Sequence, residues 1–326
     1  MTGSAITDTS ISQQRLQYFP ISMFAIVMGL AGLTIAWKAV ATLWAPEWII
    51  WQYLAWMVIA VFLFIAIFYL IKSLRYPVAV KDEFKHPIKL NFFPTISISL
   101  LLFSIIWLDK SQVARALWMT GTAIQLPLTL FVLSHWIYQP HYTQAHVNPS
   151  WFIPVVGNII VPITGTTLGY TEISWFFFSV GLLFWLILLT IVMHRLFFTE
   201  ALPAKLTPTL FILMAPPAVG FISYLSLNHG LDNFARMLFY VTLFFVLLLI
   251  MNAMRFFRLP FFISSWAYTF PLAAATTASV KMAHYLPGAM INIIIVGLFL
   301  TLNLIILWLL YKTVLAIRAG AICQPE

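Results

Sequence analysis

Apolar residues run along this chain in ten stretches, near 19–38, 48–71, 90–108, 113–137, 151–169, 173–197, 209–228, 233–254, 261–284 and 288–312. An α-helix needs about 20 mostly apolar residues to cross the hydrocarbon core of a bilayer. The pattern therefore predicts an all-α integral membrane protein with ten transmembrane helices. The stretches alternate in character. Most even ones are greasy throughout: 59–71 reads IAVFLFIAIFYLI, 182–189 reads LLFWLILL and 243–250 reads LFFVLLLI. The fourth is the exception, with Thr120, Gly121, Thr122, Gln125 and Pro127. The odd stretches interleave small and hydroxylated residues, among them Gly29, Gly32, Thr95, Gly157, Asn158, Thr164, Thr167, Ser223, Ser226, Thr269 and Thr277. A helix apolar on every side faces lipid or a dry interface. Polar positions inside a spanning helix face protein or a water-filled path. The odd helices are thus expected to form an inner ring and the even ones an outer ring, with Thr95, Thr164, Ser223 and Thr269 as candidate lining residues. Close packing of small residues is the competing explanation.

A proline recurs once per repeat at corresponding places in the odd stretches, Pro20, Pro94, Pro154, Pro216 and Pro271, and the fifth stretch carries a second one at Pro162. Proline within a helix removes a backbone donor and opens the preceding turn. In lipid that is tolerated where protein or a water-filled cavity satisfies the freed carbonyl. Five kinked helices alternating with five smoother ones predict a path down the middle.

Composition narrows the function. The chain is 62% hydrophobic and 8% charged, which leaves no room for a soluble catalytic domain. No Gly-rich phosphate loop or Ser/His/Asp arrangement stands out, so the expectation is a non-enzyme without cofactor. Cys323 is the only cysteine, which excludes a disulfide or thiolate cluster within one chain. His141 and His146 lie in QPHYTQAHVNP, too few for a zinc site of three or four protein ligands. His135, His194 and His229 fall near helix ends, and Trp44, Trp48, Trp51, Trp107, Trp118 and Trp136 fit an interfacial belt.

Residues 1–17 read as a mobile tail, 18–315 as the membrane domain and 316–326 as a second tail. Twelve basic residues fall on the side of the termini, against five (Lys38, Lys110, Arg115, Arg236 and Lys281) on the other. That bias predicts cytoplasmic termini in a plasma membrane. The net charge of +8 is scattered over loops, which fits anionic headgroups rather than nucleic acid.

No Asp, Glu or Arg lies deep in an odd stretch; Lys281 and His284 sit near one end. Ion-coupled carriers commonly place an ionisable relay at mid-membrane. A waist of hydroxyls, aromatic edges and helix-break dipoles suits a weakly held anion instead.

Short motifs carry a resemblance along residues 18–315. They are Tyr18-Phe19-Pro20 with Gly29 and Trp37; His86-Pro87 and Phe93-Pro94; Pro149, Pro154, Asn158 and Gly169-Tyr170; Ala215-Pro216 to Ser226-Leu227-Asn228; and Trp266-Ala267-Tyr268-Thr269-Phe270-Pro271. With these the chain resembles the family that joins bacterial tellurite-resistance protein TehA, plant slow-type anion channels and fungal malate and sulfite transporters. The resemblance implies ten helices in five hairpins, quasi-fivefold symmetry around a central pore in each protomer, and a homotrimer. It implies a gated channel for small monovalent anions such as chloride or nitrate, with Phe270 as the occluding ring. The alternative within the family is a transporter of dicarboxylates, sulfite or tellurite-related oxyanions. Phe19 and Phe93 precede their prolines as Phe270 does and are further candidates for the pore. Two departures stand out. The sixth stretch is apolar around Leu188-Leu189 where bacterial relatives often carry Glu-Pro, and Pro271 follows the plant pattern rather than a glycine.

Overall fold

The computed structural model describes residues 15–139 and 142–324. Residues 1–14 of the expected tail, His141 and the last two residues lie outside the described residues. The described chain is helical, with no strand. Its α-helices are α1 (Phe24–Trp44), α2 (Ile50–Arg75), α3 (Pro77–Lys85), α4 (Pro94–Ile106), α5 (Ser111–Tyr138) and α6 (Ile153–Gly165), followed by α7 (Thr171–Phe198), α8 (Ala215–Asn228), α9 (Asn233–Met251), α10 (Ala253–Phe257), α11 (Thr269–Ala283) and α12 (Ala289–Arg318).

Eight helical segments among the described residues are long and apolar enough to cross a membrane, two fewer than the ten expected. The fifth and ninth stretches fall short for different reasons. With its leading turn, α6 covers only Pro149–Gly165. α11 carries Thr269, Thr276, Thr277, Ser279 and Lys281, which dilute its apolar character.

The repeat prolines stand at or beside a change of helix type. Each inner segment opens with a 3₁₀ turn: Ile21–Met23 before α1, Lys89–Phe92 before α4, Pro149–Phe152 before α6, Thr207–Met214 before α8 and Ile263–Tyr268 before α11. Pro20 precedes the first turn and Pro94 opens α4. Pro154, Pro216 and Pro271 fall within the first three residues of their helices. At the later three the helical path is continuous, because Phe152, Met214 and Tyr268 all have right-handed helical dihedrals, so the donor that proline lacks is missing where the 3₁₀ turn passes into α-helix. The expected break is a change of helix type at the start of each segment.

Burial divides the segments as the polar pattern predicted. The apolar windows of Ile21–Trp44, Lys89–Ile106 and Thr207–Asn228 are 72–78% buried, whereas those of α2, α5, α7, α9 and α12 are only 22–39% buried. α6 and α11 are buried along nearly their whole length. The inner helices pack in a closed ring, α1 on α4, α4 on α6, α6 on α8, α8 on α11 and α11 back on α1. Each also packs against the outer helix that follows it.

Two polar clusters pin this ring. Between α4, α5 and α6, the fully buried Gln125 accepts from Ser97 (2.7 Å) and donates to the Pro154 carbonyl (2.8 Å), which Asn158 also reaches (2.8 Å). Gly157 makes this possible, because a Cβ there would lie 2.4 Å from the Gln125 amide. At the other cluster Lys72 and Glu83 form a buried ion pair at 2.9 Å. Lys72 donates to the Phe19 carbonyl (2.8 Å), Tyr69 donates to Glu83 (2.8 Å), and Glu83 accepts from the Ile21 N–H (3.4 Å). The knot thus holds the chain where it enters α1. Both ends of the described chain meet nearby, with the Arg15 guanidinium against Gly320. Residues 15–17 of the expected tail form a helical turn, and α12 runs on to Arg318.

Trp118 departs from the expected interfacial belt. It is buried, its indole N–H donates to the Val161 carbonyl (2.9 Å), and its ring stacks on Tyr170 at 4.8 Å. An indole whose N–H finds a backbone partner inside the protein has no need of the interface.

Candidate functional site

Two cavities lie along the axis of the inner ring, and both draw residues from all five inner segments. The wide one, about 320 Å³, sits among the C-terminal halves of the helices, where Lys38, Asp109, Thr167, Ser226, Thr277 and Lys281 reach it. The narrow one, about 40 Å³, sits where the 3₁₀ turns pass into α-helix. Met28, Phe92, Ile153, Ile212 and Trp266 help line it, and no charged side chain does. Phe270 is the one residue that lines both. The residue is 8% exposed, and its ring pairs with no other aromatic ring among the described residues.

Two close approaches position this ring. A Cβ on Gly29 would fall 2.0 Å from Thr269 Oγ1, and one on Gly32 would fall 2.9 Å from the Ala273 Cβ and 3.4 Å from Phe270 Cδ2. Absence of side chains at these two positions lets α1 lie directly against the turn of α11 that carries Phe270. A narrow apolar waist excludes ions both sterically and by holding no water to solvate them.

The remaining predicted residues occupy other places. Phe19 stacks on Phe68 (6.1 Å), and Phe93 stacks on Phe84 (3.6 Å) with Tyr69 at 6.3 Å. Neither lines either of these two cavities. Thr95 and Thr269 donate to backbone carbonyls three residues earlier, at 2.5 and 2.7 Å. Ser223 donates to the Ile159 carbonyl, and Thr164 pairs with Ser104 at 2.9 Å. None of these four lines either cavity. Local bonding of this kind lets a hydroxyl sit in apolar surroundings. The hydroxyls that do reach the wide cavity, Thr167, Ser226 and Thr277, lie farther along the same segments. All three were visible as polar residues of the odd stretches, but selecting them requires the rotation of each helix.

Charge in the wide cavity is uneven. Lys38 is 2.7 Å from Asp109, donates to the Ile106 carbonyl at 3.0 Å and lies over the Trp51 ring at 4.7 Å. Lys281 also lines the cavity, beside His284. Elsewhere, His146 Nδ1 accepts from the Thr143 N–H (3.2 Å), His194 packs on Phe198 (5.1 Å), and His229 ends α8 in a left-handed conformation with φ of 54°. Among the described residues no three His, Cys, Asp or Glu side chains gather as a metal site would need.

Comparison with known proteins places this geometry in a family. Residues 18–314 match the family model described as voltage-dependent anion channel. The S-type anion channel SLAH2 of Arabidopsis thaliana is 31% identical over 284 residues, covering 85% of this chain and 55% of that protein. The guard cell S-type anion channel SLAC1 of the same plant is 28% identical over 281 residues, covering 83% and 50%. A tellurite resistance protein TehA homolog from Haemophilus influenzae is 26% identical over 313 residues, covering 92% of each chain. The chain thus spans about half the length of these plant relatives and nearly the full length of the bacterial one.

Proposed function

The chain belongs to the voltage-dependent anion channel family, a family of multi-pass membrane proteins, and from that premise we propose that it is a gated channel for small monovalent anions such as chloride and nitrate. One observation carries the reading: Phe270 alone borders both the wide and the narrow cavity. The path runs from the wide cavity past the Phe270 ring and through the narrow one, and the ring is the gate. Rotating it aside joins the two cavities. The apolar lining of the narrow cavity binds no anion tightly, which favours throughput, because an ion must leave as readily as it enters.

The proposal includes ten crossings, with α6 and α11 completing the eight long spans, arranged in five hairpins with quasi-fivefold symmetry. The closed packing of the five inner helices supports that arrangement. It includes cytoplasmic termini in the plasma membrane, supported by the basic-residue bias, and a homotrimer with one pore per protomer. Phe19 and Phe93 buttress the narrow end of the pore, and Thr95, Thr164, Ser223 and Thr269 set its width by holding the inner helices. A second reading, a transporter of dicarboxylates, sulfite or tellurite-related oxyanions, draws on the end-to-end match with the TehA homolog.

Anion current through wild type and Phe270→Ala in a voltage-clamped membrane tests the reading. Transferring an ion into a dry waist costs several kcal/mol, and each ~1.4 kcal/mol removed is a tenfold gain in rate. The mutant is expected to conduct about 100-fold more than wild type, with reversal at the chloride potential. Near-zero current in both, with the protein inserted, overturns the gate. Accumulation of substrate against its gradient favours the transporter.

A further inference from the structure

All five inner helices end around the wide cavity: Thr42 near the end of α1, Asp109 beyond α4, Thr167 beyond α6, Ser226 near the end of α8 and Lys281 near the end of α11. A helix C-terminus carries about half a negative charge on its unpaired carbonyls. Five of them around one cavity make it repel the anions that a channel must admit. The full charges lining it are Lys38, Asp109 and Lys281, with His284 as the other titratable group. Lys38 is already committed, to Asp109 at 2.7 Å and to the Ile106 carbonyl at 3.0 Å. Lys281 makes no hydrogen bond or ion pair among the described residues and is exposed to the cavity.

We propose that Lys281 is the anion-recruiting residue of the pathway. Its ammonium offsets the ring of helix C-termini and raises the local concentration of small anions in front of Phe270. It also biases the entrance against cations. A cleft with one uncompensated charge focuses its field into the cavity and enriches the counter-ion there. The role is electrostatic and requires no fixed contact with the ion. It rests on the anion-channel reading above, and it adds which residue selects the sign of the ion.

The test uses the full-length Phe270→Ala protein in planar bilayers, carrying Lys281, Lys281→Gln, Lys281→Arg or Lys281→Glu, with potassium chloride as the probe. Conductance is read at 10 mM salt, where the Debye length is about 30 Å, and at 1 M, where it is about 3 Å. Lys281→Gln is expected to lower chloride conductance about two- to fivefold at the lower salt, the scale of one unit charge acting across ~10 Å of water or partly shielded cavity, and to leave it unchanged at 1 M. Lys281→Arg keeps the wild-type value at both. Lys281→Glu lowers it further and moves the reversal potential under a salt gradient toward the potassium potential. Equal conductance of the Lys281 and Lys281→Gln proteins at low salt overturns the proposal. So does a loss of the same size at both salts, which marks a change of shape rather than of field. A silent Phe270→Ala protein overturns the channel reading and this proposal together. A conducting but charge-insensitive one overturns this proposal alone.

Discussion

Gly29→Ala and Gly220→Ala make the same chemical change in two inner helices, and the structure gives them opposite signs. At Gly29 the added methyl would sit 2.0 Å from Thr269 Oγ1, 2.9 Å from Thr269 Cβ and 3.3 Å from the Trp266 ring. Neither neighbour yields easily. Thr269 is β-branched and stiff at χ1, and its hydroxyl is bonded to the Trp266 carbonyl at 2.7 Å. The Trp266 indole is itself held by Thr313 at 3.0 Å. The helices must therefore separate, and overpacking of this kind costs about 1–3 kcal/mol. Replacing glycine by alanine inside a helix returns about 0.5–1 kcal/mol, leaving a net loss of about 1–2 kcal/mol. At Gly220 the nearest atoms are Leu238 Cδ1 at 3.7 Å and Ile159 Cγ2 at 3.9 Å, an ordinary contact. Only the helix gain remains there, so Gly220→Ala is expected to be stabilised by about 0.5–1 kcal/mol. Thermal unfolding of the purified proteins in detergent, followed by fluorescence-detected size exclusion, reads the difference. At roughly 2 °C per kcal/mol the two variants separate by about 4 °C, with Gly220→Ala the higher. Equal melting temperatures, or the reverse order, would refute the claim that α1 and α11 are held at backbone contact beside Phe270.

Three further outcomes follow from other parts of the molecule. Lys72→Ala strands Glu83 without its cation in a buried site and should cost about 3–5 kcal/mol, whereas Lys72→Met with Glu83→Leu should recover most of it; a single mutant as stable as wild type in the same thermal assay removes the knot from the account. Cys323 is the sole cysteine and its thiol is pushed up by burial, so a membrane-impermeant maleimide should label it slowly and only from the cytoplasmic face; labelling of intact cells from outside would invert the topology. Asp232 caps α9 through the Ala235 N–H (2.8 Å) and accepts from the Tyr224 hydroxyl (2.6 Å), which together hold its carboxyl below the usual range. A depressed carboxyl contributes stability above its unfolded value and loses it as pH falls through the folded one, so wild type should lose melting temperature on acidification below about pH 4, and Asp232→Asn should show a shallower loss.

The alternation of greasy and hydroxylated stretches was enough to separate the inner from the outer helices, because burial on all sides and exposure to lipid demand different residues. It was not enough to pick the lining positions. Thr95 and Thr277 are both hydroxyls on inner segments, yet Thr95 turns back to the Phe92 carbonyl while Thr277 reaches the wide cavity. Which side of a buried helix meets the axis depends on packing against two neighbours in the ring, and no periodicity reports it when nearly every side is buried. The prolines were legible as markers of the inner segments but not as 3₁₀-to-α junctions, since proline is compatible both with a kink and with a helix start. Phe270 was reached through the motif that surrounds it. Its place at the meeting of two cavities needed the coordinates. The Lys38–Asp109 pair joins residues 71 apart in sequence, beyond any local signal.

The 3₁₀ turns pass into α-helix around the narrow cavity, which is lined by apolar side chains. Helix C-termini surround the wide cavity, where Lys38 and Lys281 stand. On the channel reading proposed above, an anion moving past Phe270 would leave the cavity that Lys38 and Lys281 line for an apolar passage. On that reading one aromatic side chain would decide whether the two cavities join.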